Sequence, residues 1–367
     1  MPSPVSKIAD SFAIQGRLLD AAPYGSGHIN DTYAATFGAS SNGARYIFQR
    51  VNERIFKNAD ALMENIARVT AAAAAKIEDD GTGDAERRAL RLVTAKDGHH
   101  SVRDDENRLW RCYHFIEGAK TYDVIESPRQ AYEAARAFGQ FQKLVSGLGG
   151  PRLHETIPNF HHTRSRFERL RQVAAADPLG RLASVREEWD FIRRREDVVD
   201  VLLDLQASGA IPERITHNDT KLNNVMIDDA TQEGICVIDL DTVMPGLALY
   251  DFGDLVRTAT SPAVEDEQDL SKVRMQMEMF EALAKGYLSS AADFLVPAEV
   301  SHLAFSGQLI TLEIGIRFLT DHLEGDVYFK TKRPGHNLDR CRTQLALVRS
   351  IEEQMDAMEE AVREAAK

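Results

Sequence analysis

The stretch that decides the fold reads Thr216-His217-Asn218-Asp219-Thr220-Lys221-Leu222-Asn223-Asn224-Val225-Met226-Ile227, and an acidic turn then leads to Ile235-Cys236-Val237-Ile238-Asp239. Two short apolar runs, 225–227 and 235–238, flank this turn, so the pattern predicts a β-hairpin. Because a hairpin returns the chain towards its start, we expect the polar residues before it and the aspartate after it to lie close together.

The order of these polar residues matches the phosphoryl-transfer template H-x-D-x-x-x-x-N, which is followed by a metal-binding aspartate. Asp219 lies on a loop and can accept a proton from an attacking hydroxyl. Asn224 and Asp239 can bind a magnesium ion that bridges phosphates, and Lys221 can offset charge on the moving phosphoryl group. His217 is interpreted as a packed histidine that braces the loop through hydrogen bonds.

A second aspartate competes for the metal-binding role. Asp251-Phe252-Gly253 spells the three letters that mark the metal-binding aspartate of protein kinases, but it lies twelve residues beyond Asp239 and does not directly follow the hairpin. We therefore predict that Asp251 is buried at a helix start and holds the loop by accepting hydrogen bonds. Asp241 is a possible second metal ligand.

The period of the apolar residues changes along the chain, which predicts an α+β fold. Residues 1–116 alternate short strand-like runs with turns around one alanine-rich helix at 58–76. Ser127-Pro128-Arg129-Gln130 is a helix-start signal, with serine as N-cap and proline at the first helical position. Helical patterns follow near 162–175, 184–207, 266–289, 300–324 and 336–364. We predict an N-terminal nucleotide-binding lobe at 1–116, a C-terminal catalytic lobe at 117–367, and a site in the cleft between them.

Composition excludes several classes of function. The net charge of -13 disfavours a nucleic-acid partner, because such binding depends on clustered cations. Three widely spaced cysteines, without a Cys-x-x-Cys pair, indicate a reducing, cytoplasmic setting. We expect no signal peptide and no membrane span, because no apolar run approaches about 18 residues. No obligate protein partner is evident.

The catalytic loop and the segment Gly246-Leu247-Ala248-Leu249-Tyr250-Asp251 resemble the aminoglycoside phosphotransferase and choline kinase family, whose fold is like that of protein kinases. Within that family the chain is similar to the N-acetylhexosamine 1-kinases, over residues 24–33, 49–52, 63–66, 156–161 and 216–221. This resemblance implies a two-lobed protein-kinase-like fold. It also implies transfer of the ATP γ-phosphate to the 1-hydroxyl of N-acetylglucosamine or N-acetylgalactosamine, with ATP and Mg2+ as cofactors.

The resemblance also implies a nucleotide site, formed by Gly25, Ser26, Gly27, Arg50, Glu64, Ile116 and Glu117. The glycine-rich turn would cover the phosphates through backbone amides, although Gly-Ser-Gly is also a common plain turn. The family's strand lysine has no counterpart here. Arg50 is predicted to replace it with Glu64 as its partner, unless strand alternation points Arg50 the other way.

For the sugar, the resemblance implies contacts from His28, Asn30, Asp219, Arg317 and Tyr328. His28 and Asn30 could face either the nucleotide or the sugar. Arg317 lies four residues from both Glu313 and Asp321, so a salt-bridge ladder on a solvated helix face is the alternative for it. Tyr328 is either a sugar contact or a surface aromatic.

Two other functions stay open. Another small molecule, such as a neutral hexose, an amino alcohol or an aminoglycoside, could be the acceptor on the same fold. A nucleotide-binding pseudokinase would account for the missing strand lysine, but Asp219, Asn224 and Asp239 are all present and argue against it.

Overall fold

The computed structural model describes residues 3–25, 29–39, 43–81 and 83–367. The strands are β1 (Arg17–Pro23), β2 (Asp31–Gly38), β3 (Ala44–Arg50), β4 (Val102–Arg103), β5 (Leu109–His114), β6 (Ala119–Lys120), β7 (Arg214–Thr216), β8 (Val225–Asp228), β9 (Gly234–Val237) and β10 (Met244–Gly246). The helices are α1 (Ala59–Asp79), α2 (Ala85–Arg88), α3 (Pro128–Val145), α4 (Thr163–Ala176), α5 (Arg186–Arg193), α6 (Val201–Ala207), α7 (Ala248–Ala259), α8 (Met277–Ala291), α9 (Pro297–Ser301), α10 (Leu303–Glu324), α11 (His336–Glu353) and α12 (Met355–Ala365).

The chain folds into two compact units. The first contains Met1–Lys120, Gly147–Ile157 and Met226–Met244, and the second contains Thr121–Ser146, Pro158–Val225 and Pro245–Lys367. The first unit therefore takes in two later segments in addition to the region predicted as the small lobe.

A five-stranded antiparallel sheet, in the order β1-β2-β3-β5-β4, forms most of the first unit. Its buried face carries aromatic side chains at alternate strand positions, because successive residues of a strand point to opposite faces. Phe48 is fully buried and lies edge-on to Phe12, with ring centroids 5.4 Å apart. The predicted hairpin is present as β8 and β9, which extend a second small sheet in the order β6-β8-β9.

Helix α1 links the later segments to the first unit through one buried amide. Asn58 caps the helix by accepting a hydrogen bond from the Ala61 amide at 3.1 Å. On the buried face, the Asn65 side-chain nitrogen donates to the carbonyl oxygens of His154 at 2.8 Å and Val243 at 3.1 Å. A buried amide needs such partners, so Asn65 ties 147–157 and 226–244 to the helix.

The second unit is helical, and the predicted start of α3 is confirmed. The Ser127 side chain accepts a hydrogen bond from the Gln130 amide, and proline occupies the first helical position. Helices α3 and α8 pack very closely, since a Cβ at Gly286 would lie 2.2 Å from the Tyr132 carbonyl oxygen. The predicted helices at 184–207 and 336–364 each break into two, α5 and α6 in the first case and α11 and α12 in the second. The helix predicted at 266–289 begins only at Met277, as α8.

Helix α10 is the central helix of the second unit, and buried side chains surround most of its length. Among the described residues it alone is long and apolar enough to span a membrane, which the apolar-run argument had not anticipated. However, 83% of its apolar window is buried inside the protein, as in the core helix of a globular unit.

Asp104 provides a test of stability in the first unit. Its carboxylate accepts hydrogen bonds from Trp110 Nε1 and Arg108 Nε, both at 2.8 Å. Burial raises the pKa of Asp104, but these bonds and backbone amides outweigh it and lower the pKa from 3.8 to about 2. We expect Asp104→Asn to lower the free energy of unfolding by about 1–2 kcal/mol at pH 7.

This difference should depend on pH with a definite sign. The folded-state pKa lies below the unfolded-state value, so the stabilisation is present above about pH 4 and is lost as the pH falls towards 2. Urea unfolding between pH 3 and 7 measures it, with the exposed neighbour Asp105→Asn as the control. An Asp104→Asn deficit that grows as the pH falls would contradict the assignment.

Candidate active site

The predicted catalytic loop lies in the second unit and brings three of the predicted residues together. Lys221 Nζ lies 2.8 Å from Asp219 Oδ2, and Asn224 Nδ2 donates to the same oxygen at 3.2 Å and to the Asp219 carbonyl at 2.8 Å. Burial raises the pKa of Asp219, but Lys221, His217 and Arg257 outweigh it, so the pKa lies below its ordinary value. Asp219 is therefore an ionised carboxylate that can accept a hydrogen bond or a proton.

Asp251 anchors this loop, and the role predicted for it is confirmed. The residue is fully buried in the first turn of α7, where its Oδ2 accepts the His217 amide at 2.9 Å and its Oδ1 accepts the Asn218 amide at 2.7 Å. Gln142 Nε2 donates to Oδ2 at 2.6 Å. Burial raises the pKa of Asp251, and His217, the two amides and Gln142 offset only part of that rise.

The residue before Asp219 has an unusual backbone. Asn218 has a φ of 64°, in the left-handed region that asparagine tolerates better than most residues. Its side chain is held by Thr216, whose Oγ1 donates to Asn218 Oδ1 at 3.0 Å. A Cβ at Gly246 would lie 2.3 Å from Thr216 Oγ1, so only glycine fits beside this pair.

His217 braces the loop as predicted. Its ring is fully buried and lies edge-on to Phe138, with centroids 5.2 Å apart. The Asp219 amide donates to His217 Nδ1 at 3.3 Å. This contact fixes the start of the Asp219 backbone.

The predicted metal ligand Asp239 belongs to the first unit, where it follows β9 with a φ of 60°. Carboxylate and amide oxygens such as those of Asp239 and Asn224 are suitable magnesium ligands. Within the described ranges, no group of three or more His, Cys, Asp and Glu side chains is arranged to hold a metal. The Asn224 and Asp239 assignment therefore stays a prediction based on the motif.

Asp241, the possible second metal ligand, already contacts two residues of the first unit, and its metal contact stays a prediction. Its Oδ1 lies 2.5 Å from Arg111 Nη1, and its Oδ2 accepts a hydrogen bond from Asn30 Nδ2 at 2.6 Å. The Asn30 oxygen in turn accepts the Asn52 amide at 3.0 Å. Asn30 is thus largely committed to bonds inside the first unit, and its sugar contact stays a prediction.

Arg111 is the buried cation that sequence reasoning missed. Its side chain is fully buried on β5, and Nε and Nη2 donate to Gln49 Oε1 at 2.9 and 2.8 Å. Burial lowers the pKa of Arg111, but Asp241, Tyr113 and Asp239 raise it by more than burial lowers it. The guanidinium is therefore charged. An arginine flanked by apolar strand residues gave no local signal of this role.

The pairing predicted between Arg50 and Glu64 is wrong. Arg50 Nε donates to Asp31 Oδ2 at 2.8 Å, and its guanidinium lies over Trp110. Glu64 instead contacts His154 Nε2 at 2.8 Å. The reason is strand alternation, since Gln49 takes the position towards Arg111 and Arg50 points to the opposite face.

The remaining nucleotide residues are only partly described. Ser26, Gly27 and His28 lie outside the described residues, and Gly25 has a φ of 82° that favours glycine. Ile116 is buried, whereas the exposed Glu117 pairs with Arg45 Nε at 2.8 Å. The contact between the 116–117 backbone and adenine stays a prediction.

Arg317 does not lie on a solvated face, so the salt-bridge ladder is wrong. Glu313 is fully buried and bonded to His161 and Thr163, while Asp321 accepts backbone amides of 327–329. In the described part of the chain, no carboxylate lies within ion-pair distance of Arg317. Its guanidinium instead lies 5.0 Å from the ring centroid of Phe160 and 5.7 Å from that of Phe329.

Tyr328 is next to this cluster. Its side chain is 63% exposed, and its ring lies edge-on to Phe329 with centroids 4.8 Å apart. Arg166 is also close, because its Nη2 donates to the carbonyl oxygen of Phe160 at 3.0 Å. Burial lowers the pKa of Arg166, and the charge of Arg317 lowers it further. Five residues form what we call the arginine–aromatic cluster: Arg166, Arg317, Phe160, Tyr328 and Phe329.

One protein-family model and several solved structures match this chain. Residues 20–288 match the family model described as phosphotransferase enzyme family. An aminoglycoside phosphotransferase from Alicyclobacillus acidocaldarius has a TM-score of 0.60 at 13% identity, covering 100% of this chain and 97% of its own. A spectinomycin phosphotransferase solved with ADP and its antibiotic has a TM-score of 0.55 at 13% identity, covering 93% and 94%.

A choline/ethanolamine kinase family protein from Mesorhizobium loti has a TM-score of 0.52 at 17% identity and covers 97% of each chain. At such low identity these structures show that the fold is shared, and they carry no information about the substrate. They confirm the predicted kinase-like α+β fold, with a small sheet-rich part followed by a larger helical part.

Proposed function

This chain belongs to the phosphotransferase enzyme family and is a phosphotransferase, and from that premise we propose that it is an ATP- and Mg2+-dependent N-acetylhexosamine 1-kinase. The product would be the sugar 1-phosphate. The observation that carries the kinase part is the ionised Asp219 on a loop anchored by Asp251, with Lys221 and Asn224 bonded to it.

Each residue of the loop has a chemical role in this proposal. Asp219 accepts the proton of the attacking hydroxyl, and an anomeric hydroxyl is acidic enough for a carboxylate to suffice. Lys221 can turn from Asp219 towards the transferring phosphoryl group, where its positive charge is most useful as negative charge develops. Asn224 and Asp239 would hold Mg2+, which supplies charge neutralisation between the phosphates.

The arginine–aromatic cluster supports an acceptor that is neutral and rich in oxygen. The guanidinium of Arg317 can donate hydrogen bonds to neutral oxygen atoms as well as to carboxylates. An aromatic side chain such as Tyr328 packs well against a sugar ring. The acetamido carbonyl of an N-acetylhexosamine is an acceptor that suits a guanidinium. The identity of the sugar rests on the resemblance of the motifs, and the cluster is compatible with it.

An amino alcohol or an aminoglycoside is the second candidate acceptor, because similar folds belong to a spectinomycin phosphotransferase and a choline/ethanolamine kinase family protein. Against it stand Arg166 and Arg317, two neighbouring cations on the same unit as Asp219. A cationic acceptor near them would be repelled and would need acidic side chains instead.

A panel of acceptors tests the proposal. ATP consumption is measured with N-acetylglucosamine, N-acetylgalactosamine, glucose, galactose, choline, ethanolamine and spectinomycin, each with Mg2+ and with EDTA. We expect turnover with the two N-acetylated sugars and loss of it in EDTA. Turnover with choline or spectinomycin alone would show that the acceptor is cationic and is not a sugar. Retained ATP binding without any turnover would indicate a pseudokinase.

Arg317→Ala provides a sharper test of the sugar assignment. We expect the sugar KM to rise about 10-fold to 100-fold, which corresponds to about 1.4–2.7 kcal/mol of lost binding, while the ATP KM stays within about 2-fold. Steady-state kinetics in both substrates measure this. The control is Arg349→Ala, an exposed arginine that lies over Phe191 and is remote from the loop in sequence. A change confined to the ATP KM would mean that Arg317 serves the nucleotide.

A further inference from the structure

A buried histidine outside the predicted catalytic set contacts the backbone of the catalytic loop. His161, just before α4, is 5% exposed. Its Nε2 lies 3.2 Å from the Asn218 carbonyl oxygen, and its Nδ1 lies 2.8 Å from Glu313 Oε1 on α10. His161 therefore bridges a buried carboxylate and the residue that immediately precedes Asp219.

The partners of His161 constrain its protons. A carbonyl oxygen can only accept, so Nε2 must carry a proton to bond it. Glu313 Oε2 already accepts a hydrogen bond from Thr163 Oγ1 at 2.6 Å. A bond between Nδ1 and Glu313 Oε1 needs a second proton, which sits either on the ring or on the carboxyl.

The environment of Glu313 favours the ionised form of its carboxyl. Burial raises the pKa of Glu313, but His161, Thr163 and Arg317 lower it by more, so the carboxyl is ionised. The other polar or charged groups that face the pair are Tyr250 on α7, with its ring 5.3 Å from that of His161, and Arg166 on α4. Neither is an anion that could take the place of Glu313.

The contact has a geometric consequence for Asp219. The peptide unit between Asn218 and Asp219 is held at both ends, because its oxygen accepts from His161 Nε2 and its nitrogen donates to His217 Nδ1. Fixing this plane fixes the direction from which the Asp219 side chain leaves the backbone. It also stabilises the left-handed conformation of Asn218, which the loop requires.

We propose that His161, held by Glu313, is a positioning residue that orients Asp219 by clamping the Asn218–Asp219 peptide. The effect on turnover rests on the proposed function of Asp219 as the base. A small displacement of a reacting group lowers rate strongly even when the fold is intact, because alignment accounts for much of the rate enhancement. A buried ion pair that served stability alone would have no such effect.

Three variants separate positioning from stability. His161→Phe keeps a ring among Phe160 and Tyr250 but removes both donors and leaves Glu313 buried without its partner. His161→Phe/Glu313→Leu also removes that buried charge, so the fold should recover. In Glu313→Gln, a neutral His161 can still donate from Nε2 to Asn218 while Nδ1 accepts from the new amide. His302→Phe, which loses contacts with the Ala298 carbonyl and the Ser301 hydroxyl, is the control.

Each variant is measured for Tm, for kcat and KM, and for amide exchange of the peptide 216–224. We expect kcat to fall about 10-fold to 100-fold in His161→Phe and in the double variant, with ATP KM nearly unchanged. In the double variant Tm should return towards that of the parent protein, while exchange of 216–224 stays fast. Glu313→Gln should keep most of the turnover.

The outcomes that would overturn the proposal are distinct. If kcat recovers together with Tm in the double variant, the pair is only structural. Unchanged exchange of 216–224 in His161→Phe would show that no clamp exists, and this readout needs no acceptor. If exchange becomes fast but turnover does not fall, the clamp does not position Asp219. Failure of the kinase proposal itself would appear separately, as undiminished turnover in Asp219→Asn.

Discussion

Asp219→Asn is expected to reduce kcat by about 10²-fold to 10⁴-fold while ATP affinity changes by less than about 3-fold. The substitution keeps the shape of the side chain and can keep one contact with Lys221 or Asn224, which lie 2.8 and 3.2 Å from Asp219 Oδ2. It removes the capacity to take a proton, so binding and proton transfer are separated. Rapid-quench measurement of a single turnover, together with nucleotide titration, determines both quantities.

The control for this variant is Asp229→Asn, an exposed carboxylate in the turn after β8 that lies 3.5 Å from Lys120. It loses the same charge without touching the loop, and its activity should stay within about 2-fold of the parent, as is usual for surface changes. If Asp219→Asn turns over at a comparable rate to this control, the base has been misassigned. If it loses ATP binding instead, Asp219 acts on the metal and nucleotide rather than on the acceptor.

Asp251→Asn is expected to have the second largest effect, although Asp251 is proposed to touch no substrate. Its two oxygens accept from three donors, the amides of His217 and Asn218 and the side-chain nitrogen of Gln142. An asparagine must point its own NH2 group at one or two of these donors in either orientation. Each buried donor left unpaired costs about 1–3 kcal/mol, so we expect a loss of about 2–4 kcal/mol in stability.

Activity should fall with stability in this variant, because the released backbone carries Asp219. We expect kcat to drop more than about 10²-fold at a temperature where circular dichroism shows a folded protein. The companion variant Gln142→Leu removes one donor to Asp251 and the acceptor of the buried Tyr287 hydroxyl, but it leaves both backbone amides bonded, so kcat should fall much less. Full activity in folded Asp251→Asn would contradict the anchor role, and loss of Mg2+ affinity with an intact loop would revive the metal-binding role for Asp251.

Sequence reasoning succeeded where function depends on residues close together in the chain. A local pattern is formed by the residues from His217 to Asn224, the hairpin and Asp239 at its end. Its spacing indicates the function without knowledge of the tertiary structure. The role of Asp251 could be predicted by elimination, since it does not directly follow the hairpin. The start of α3 could be predicted because capping is decided by a few consecutive residues.

Sequence reasoning failed where residues distant in the chain compete for the same partner. Arg50 was a reasonable substitute for the strand lysine, but it lies on the same face of β3 as Phe48. The opposite face carries Gln49, which binds the buried Arg111. Periodicity shows that strand neighbours point to opposite faces but not which face is buried. The salt-bridge ladder considered as the alternative for Arg317 failed for a similar reason, because Glu313 and Asp321 are already bonded elsewhere.

The sequence by itself determined the family, the catalytic loop and the order in which its polar residues occur. Only the tertiary structure decided which charges are paired: Asp241 with Arg111, and His161 with Glu313, which is 152 residues away. The physical reason is that a buried charge must find a partner in space, and that partner is chosen by packing rather than by sequence distance. The orientation of Asp219 depends on both kinds of information.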